Sequence, residues 1–243
     1  MICLLLIETS TKFCSLTLAV DGKSVFDRIS LEGASHASLL GVFALEAVKY
    51  ARANHLKINA IAVSSGPGSY TGLRIGASEA KGLCYGFEIP LIAIPTLKIL
   101  VSACFTFAPS FAKKSAERLY CPMIDARRME VYTALYDSSF NEIHPVRAEI
   151  IVENSYKEYL DKYSILFFGD GSDKCRPIIQ SPNALFVENI YPNAEAMIPL
   201  AEKAFKNGEF VDVAYFEPFY LKEFQATIAK NKVFTSTQNS RST

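Results

Sequence analysis

Residues 61–76 read Ile61-Ala62-Val63-Ser64-Ser65-Gly66-Pro67-Gly68-Ser69-Tyr70-Thr71-Gly72-Leu73-Arg74-Ile75-Gly76. A short apolar, β-branched run ends in two serines, a turn with a glycine on each side of a proline comes next, and a helical pattern opens behind it. This is a strand–loop–helix unit, and its loop can bring backbone N–H groups close to a small anion or to another segment of chain. A phosphate cradle of the P-loop kind needs Lys and Ser/Thr after its last glycine. Here Gly72 is followed by Leu73-Arg74, and no GxGxxG spacing occurs. Gly66, Pro67 and Gly68 are therefore read as a structural loop that ends the strand tightly and sets the launch angle of the helix.

Working outward from this unit, the first half alternates strands and helices. Ile2–Ile7 is a buried strand, Ser15–Val20 and Lys23–Ile29 form a hairpin around Asp21-Gly22, and Ser35 is placed to cap a helix from His36 to about Asn54. Ala60–Ser64 is a strand, Thr71–Gly86 a helix stopped near Gly86, Leu91–Ile94 a strand, and Thr96 to about Phe107 a helix. After a polar stretch at Pro109–Glu117 the pattern begins again. Leu119–Ile124, Glu130–Tyr136 and Glu142–Ile150 are strands, with a hairpin at Asp137–Asn141. A short helix at Ser155–Leu160 precedes the strand Ser164–Phe168. Gly169-Asp170-Gly171-Ser172 leads a helix to about Ile179, and Asn193–Asn207 is a further helix ended by Gly208.

The two halves share their order of elements, which points to a duplication. The first strand of each half ends in a carboxylate, Glu8 and Asp125, and each half carries a glycine turn after a later strand. The implied fold is α/β, with two duplicated β-β-β-α-β-α lobes of the actin-like, Hsp70-ATPase-like (ribonuclease H-like) kind. The acids and glycine turns then line a central cleft at the strand carboxyl ends. The lobes are expected at 1–108 and 109–222, with an extension at 223–243 whose Ser/Thr-rich end reads as disordered.

Composition narrows the function. Of 243 residues, half are apolar, enough for a real core, and Lys plus Arg equals Asp plus Glu at 25 each. A chain that holds RNA by its own field shows a basic surplus. Any RNA role here expects a partner to supply most phosphate contacts. Met1–Ile7 is too short for a signal segment, and Ile89–Val101 is interrupted by Pro90, Pro95 and Lys98, so no membrane span is expected. The six cysteines form no CxxC pair and read as reduced core thiols of a cytoplasmic protein.

Certain residues are more specific. They are Ile7-Glu8-Thr9-Ser10-Thr11, Ser35-His36-Ala37-Ser38-Leu39-Leu40, the run from Gly66 to Gly76, Lys81-Gly82-Leu83, Pro95-Thr96-Leu97, Pro122-Met123-Ile124-Asp125-Ala126-Arg127 and Glu130-Val131-Tyr132. In that order and spacing the chain resembles the bacterial TsaB (YeaZ) family over roughly residues 1–220, most closely in the first half. The resemblance implies a non-catalytic subunit of the tRNA threonylcarbamoyladenosine machinery. Such a subunit binds and activates a catalytic TsaD-type paralogue, with a TsaE-type ATPase and tRNA joining through the complex, and a homodimer is the alternative in isolation.

Chemistry of the chain's own has few candidates. A metal held by two imidazoles four residues apart on a helix is not expected, because His36, His55 and His144 are the only histidines and Leu40 stands where a second ligand would. Glu8, Thr9, Ser10 and Asp125 are the candidates for a nucleotide site, as relics of the acid pair that organises Mg²⁺ in actin-like ATPases. No intrinsic cofactor is expected beyond weak adenine nucleotide. An ATP-dependent small-molecule kinase of the same fold and a glycoprotease-type metallopeptidase stay as alternatives.

The sharper signal lies in two helices. Val42 and Leu45 interrupt the polar face of the first. In the second, Gly72, Gly76 and Ala80 recur every four residues as a smooth ridge, at a cost of about 1 kcal/mol per glycine. Such a ridge suits close approach of another helix, from within the chain or from a partner. The resemblance implies that these helices meet the partner. The expected interface is His36, Leu39, Val42, Leu45, Gly72, Arg74, Gly76 and Ala80.

Overall fold

Two five-stranded mixed sheets are built on one plan. The computed structural model describes residues 1–31, 36–111 and 117–222. In it β1 (Cys3–Glu8), β2 (Cys14–Val20) and β3 (Lys23–Ser30) form a meander, followed by α1 (His36–Ala53), β4 (Ala60–Ser64), α2 (Tyr70–Phe87), β5 (Leu91–Ile94) and α3 (Thr96–Phe107). The strand order is β3-β2-β1-β4-β5, with β1 antiparallel to β2 and parallel to β4. The plan repeats in β6 (Arg118–Asp125), β7 (Glu130–Tyr136), β8 (Glu142–Ile150), α4 (Lys157–Leu160), β9 (Ser164–Phe168), β10 (Ala184–Val187) and α5 (Ile198–Asn207). The second sheet runs β10-β9-β6-β7-β8. There β6 takes the place of β1, antiparallel to β7 and parallel to β9. This is the duplicated actin-like fold.

The unbroken apolar run of β1 follows from its central place. Successive side chains of a strand face opposite sides. Cys3, Leu5 and Ile7 pack with α1 and α2 through Leu40, Ala44, Ala47, Ala80 and Cys84. Leu4 and Leu6 face α3 and α5 and join Leu97, Leu100, Cys104, Ile198 and Ala201 in one core. That core continues into the second sheet through Tyr120, Ile124, Leu166 and Phe168. Helices α3 and α5 thus lie in the core between the two sheets, α3 against β6 and α5 against β1 and β5. The outer face of the second sheet has its own cluster, in which Cys121 and Met123 meet Tyr156, Leu160 and Cys175.

Local signals explain most boundaries. Asp21 and Gly22 both take positive φ, 45° and 77°, as a two-residue hairpin turn demands. Ser69 caps α2, its hydroxyl accepting from Gly72 N–H at 3.2 Å. Four expectations change. Helix α2 runs past Gly86 and is capped by Glu88 in the left-handed region, whose N–H bonds Cys84 O. Residues 170–178 form successive turns rather than a helix, because Pro177 lacks the N–H a helix would use there. Strand β10 adds to the expected elements. The last helix begins as a 3₁₀ turn at Glu195–Met197, since Pro199 fits only the first turn of α5. Ser35, residues 112–116 of the lobe junction and the extension at 223–243 lie outside the described residues.

Past α5 the chain returns to the first sheet. Val211 bridges Leu91, and Lys81 Nζ donates to Ala214 O at 2.9 Å and Phe216 O at 3.2 Å. Phe219 N–H then bonds Ser65 O at 2.7 Å. Residues 209–222 form a strap across the first lobe that ends beside the glycine loop.

Candidate functional site

The first acid is sealed. Glu8 ends β1 with no exposed surface, and its Oε1 accepts from Ser10 N–H at 2.5 Å. Burial pushes its carboxyl up to about 7, only partly offset by nearby polar groups of Ser10, Ser64 and Thr9. Among the described residues no hydrogen bond reaches its Oε2, nor the buried Ser10 hydroxyl. The lid is the glycine unit. Ser69 N–H bonds Ser10 O at 2.6 Å, and a Cβ on Gly68 would lie 2.3 Å from that same carbonyl.

The ridge of α2 takes part in the same closure. A Cβ on Gly72 would lie 2.1 Å from Thr9 O and one on Gly76 2.3 Å from Thr9 Oγ1. Thr9 Oγ1 donates to Gly72 O at 2.8 Å, and Ala80 is buried on the α1 side of the sheet. The ridge therefore packs on the end of β1 and not on a partner. This corrects the interface reading of Gly72, Gly76 and Ala80: the backbone that needed room was Thr9.

The second acid is occupied by an internal ammonium. Lys174 pairs with Asp125 Oδ1 and also donates to Arg128 O and Glu130 O, each at 2.7 Å. Asp125 Oδ1 further accepts from Arg127 N–H at 2.8 Å. Asp170 Oδ1 accepts from Asp125 N–H at 3.0 Å, and burial raises the Asp170 carboxyl. The cation that the position of Asp125 invites is thus supplied by the chain itself.

Between the carboxyl ends of the sheets lies a cavity of about 490 Å³, lined by Ser10, Thr11, Lys12, His36, Asp125 and Asp170 among others. Of the four residues expected to meet nucleotide, Ser10 and Asp125 line it. Glu8 and Thr9 do not; they lie beneath the loop. His36 is buried and corrects a second interface expectation: its Nε2–H is shared between Thr11 O and Phe13 O at 3.0 Å each, fixing the β1–β2 turn. Arg74 lies at the surface, and its guanidinium stands 4.3 Å from the centre of the Tyr70 ring, close to Tyr220 on the strap. Among the described residues no group of three His, Cys, Asp or Glu is placed to hold a metal ion. No helix among them is long and apolar enough to cross a membrane.

The outward face of α1 and α2 keeps apolar side chains in solvent. Val42 is 48% exposed, Leu45 54% and Tyr85 85%, while Leu39 is half-buried. Gly41, Gly82 and Gly86 have nothing within 4 Å of where a Cβ would stand. Small residues at 78, 82 and 86 thus form an outward ridge of α2, opposite the one read from the sequence. Both ridges repeat every four residues, and only the packing separates them. Lys174 and the strap are further site elements that the sequence reading does not reach. The aromatic run Tyr215-Phe216-Glu217-Pro218-Phe219-Tyr220, lying in no expected element, is the available signal for the strap; Lys174 carries none.

Residues 31–230 match the family model described as "TsaD: tRNA N6-adenosine threonylcarbamoyltransferase". An Escherichia coli (strain K12) protein named "tRNA threonylcarbamoyladenosine biosynthesis protein TsaB" is 31% identical over 225 residues, spanning 90% of this chain and 94% of that one. A Haemophilus influenzae protein of the same name is 28% identical over 229 residues, 90% of this chain and 93% of that one. The solved structure titled "YeaZ from Pseudomonas aeruginosa" superposes with a TM-score of 0.75 at 24% identity, covering 91% of this chain and all of that one, which shows a shared fold.

Proposed function

The chain belongs to the TsaB (YeaZ) family, named for tRNA threonylcarbamoyladenosine biosynthesis, and from that premise we propose that it serves this modification as a non-catalytic subunit. It binds a catalytic TsaD-type paralogue through the outward face of α1 and α2 and activates it toward the adenosine beside the anticodon. A TsaE-type ATPase and tRNA join through the complex, in the cytoplasm. In isolation the same face pairs two copies of the chain.

The observation that carries this reading is a contrast within the first lobe. The acids that would run phosphate chemistry are out of service, Glu8 sealed under the loop and Asp125 held by Lys174. Meanwhile Val42, Leu45 and Tyr85 stand in solvent beside glycines that let another backbone approach. An adenine nucleotide in the cleft binds weakly, meeting Ser10, Thr11 and Lys12 rather than Glu8.

The test is reconstitution of tRNA modification from the cognate TsaD- and TsaE-type proteins and the TsaC-type supplier of threonylcarbamoyl-adenylate, with and without this chain. Equal modification without it refutes the subunit role. The face is tested separately. Val42→Asp with Leu45→Asp is expected to abolish co-purification with the TsaD-type protein while the melting temperature holds. An intact complex would place the interface elsewhere.

A further inference from the structure

A second cavity, of about 370 Å³, opens where the strap ends, and it shares Ser69, Thr71 and Asp125 with the wall of the cleft. Its other walls come from three separate parts of the chain: Tyr70 at the start of α2, Arg127 and Tyr132 on the β6–β7 hairpin, and Tyr220 and Lys222 on the strap. The volume falls within the range of small-ligand sites.

Three tyrosines line this pocket. Tyr70 and Tyr220 have ring centres 4.7 Å apart, and Arg74 behind them covers both. The charges are mostly spoken for. Lys222 pairs with Glu130 and Asp125 with Lys174. Among the described residues Arg127 is the lining cation left without a carboxylate. It stands on a turn in which Arg127 and Arg128 both take positive φ, 73° and 51°, a region other residues avoid and functional sites often hold. Lys174 keeps the turn in that shape by bonding the Arg128 and Glu130 carbonyls.

Aromatic walls with one uncommitted guanidinium match a nucleoside monophosphate unit, with the base against the rings and one phosphate on Arg127. Resting on the tRNA-modification reading, we propose that this pocket takes a single unstacked nucleotide of the tRNA strand. A strand is favoured over a free nucleotide by charge. One guanidinium balances the single charge of a phosphodiester, whereas a triphosphate would need several cations or a metal. A chain with 25 acidic and 25 basic residues cannot gather RNA by its overall field, but it can seat one nucleotide of an RNA held mainly by a partner.

The test measures binding of a fluorescein-labelled, unmodified anticodon stem-loop by anisotropy, with the full chain alone and with its TsaD-type partner bound. Arg127→Ala and Tyr220→Leu are compared with Arg176→Ala, which removes a charge elsewhere on the surface, and melting curves confirm that each variant folds. Arg127→Ala and Tyr220→Leu are expected to weaken RNA binding about tenfold, Arg176→Ala less than twofold, and millimolar AMP to leave the RNA bound. Wild-type affinity in both pocket variants, or no RNA affinity contributed by the chain in either setting, overturns the proposal. Displacement of the RNA by AMP overturns it in favour of a free nucleotide. If modification requires the chain but the pocket variants support it at the wild-type rate and affinity, the pocket assignment fails while the subunit role stands. If modification does not require the chain, it is the subunit role that fails.

Discussion

Replacing Glu8 by Gln should stabilise this protein at alkaline pH and do little at acid pH. In the folded chain the Glu8 carboxyl titrates at about 7 against an ordinary 4.5, because burial disfavours its charged form. Between those values the folded state binds more protons than the unfolded one, so stability falls as pH rises and levels off above about 7. At about 1.4 kcal/mol per pH unit, the gap corresponds to about 3 kcal/mol lost by pH 8. Gln cannot ionise and keeps the acceptor for Ser10 N–H. Its amide NH₂ falls where Oε2 has no partner and the Ser10 hydroxyl is unpaired among the described residues, so those two groups can satisfy each other. The variant should match the wild type below pH 4.5 and exceed it by about 1–3 kcal/mol at pH 8, the lower end applying if the new amide hydrogens stay unmet. Urea unfolding followed by circular dichroism across this range reads the difference directly, and it suits a chain without tryptophan. A variant less stable than wild type at every pH would show that Glu8 is ionised and held as an anion by the loop, refuting the account of a sealed acid that burial makes harder to ionise.

The two faces of α2 should respond in opposite ways. Gly76→Ala forces a methyl to 2.3 Å from Thr9 Oγ1 and should cost about 1–3 kcal/mol. Gly82→Ala meets open space and should stabilise the isolated chain by up to about 1 kcal/mol while weakening the complex with the TsaD-type protein; melting and co-purification read the two effects. Lys174→Met should destabilise the chain more than Asp125→Asn, because it strands two carbonyls as well as the carboxylate. A loss of about 1–3 kcal/mol in urea unfolding is expected, and a smaller loss than for Asp125→Asn would contradict the role given to the ammonium.

The repeated order of elements was legible because strand and helix periods are local properties. The run of β1, the Asp21-Gly22 turn and the missing Lys after Gly72 were enough for the fold and for setting aside P-loop chemistry. The inner and outer ridges of α2 were not distinguishable, since residues four apart align on either face and only Thr9, 63 residues from Gly72, decides which face is buried. The acids were found by position, but their states were not. Glu8 is buried by a loop that closes from β4, and Asp125 is paired with a lysine 49 residues away.

By itself, then, the sequence determined what depends on neighbours along the chain: the elements, their duplication and the family motifs. The tertiary structure alone decided what depends on residues distant in sequence. It turned the glycine ridge inward, sealed one acid and paired the other, and laid the strap against the first lobe to make a pocket. Burial and pairing are set by which segments meet, and those meetings are fixed only when the two sheets close around α3 and α5.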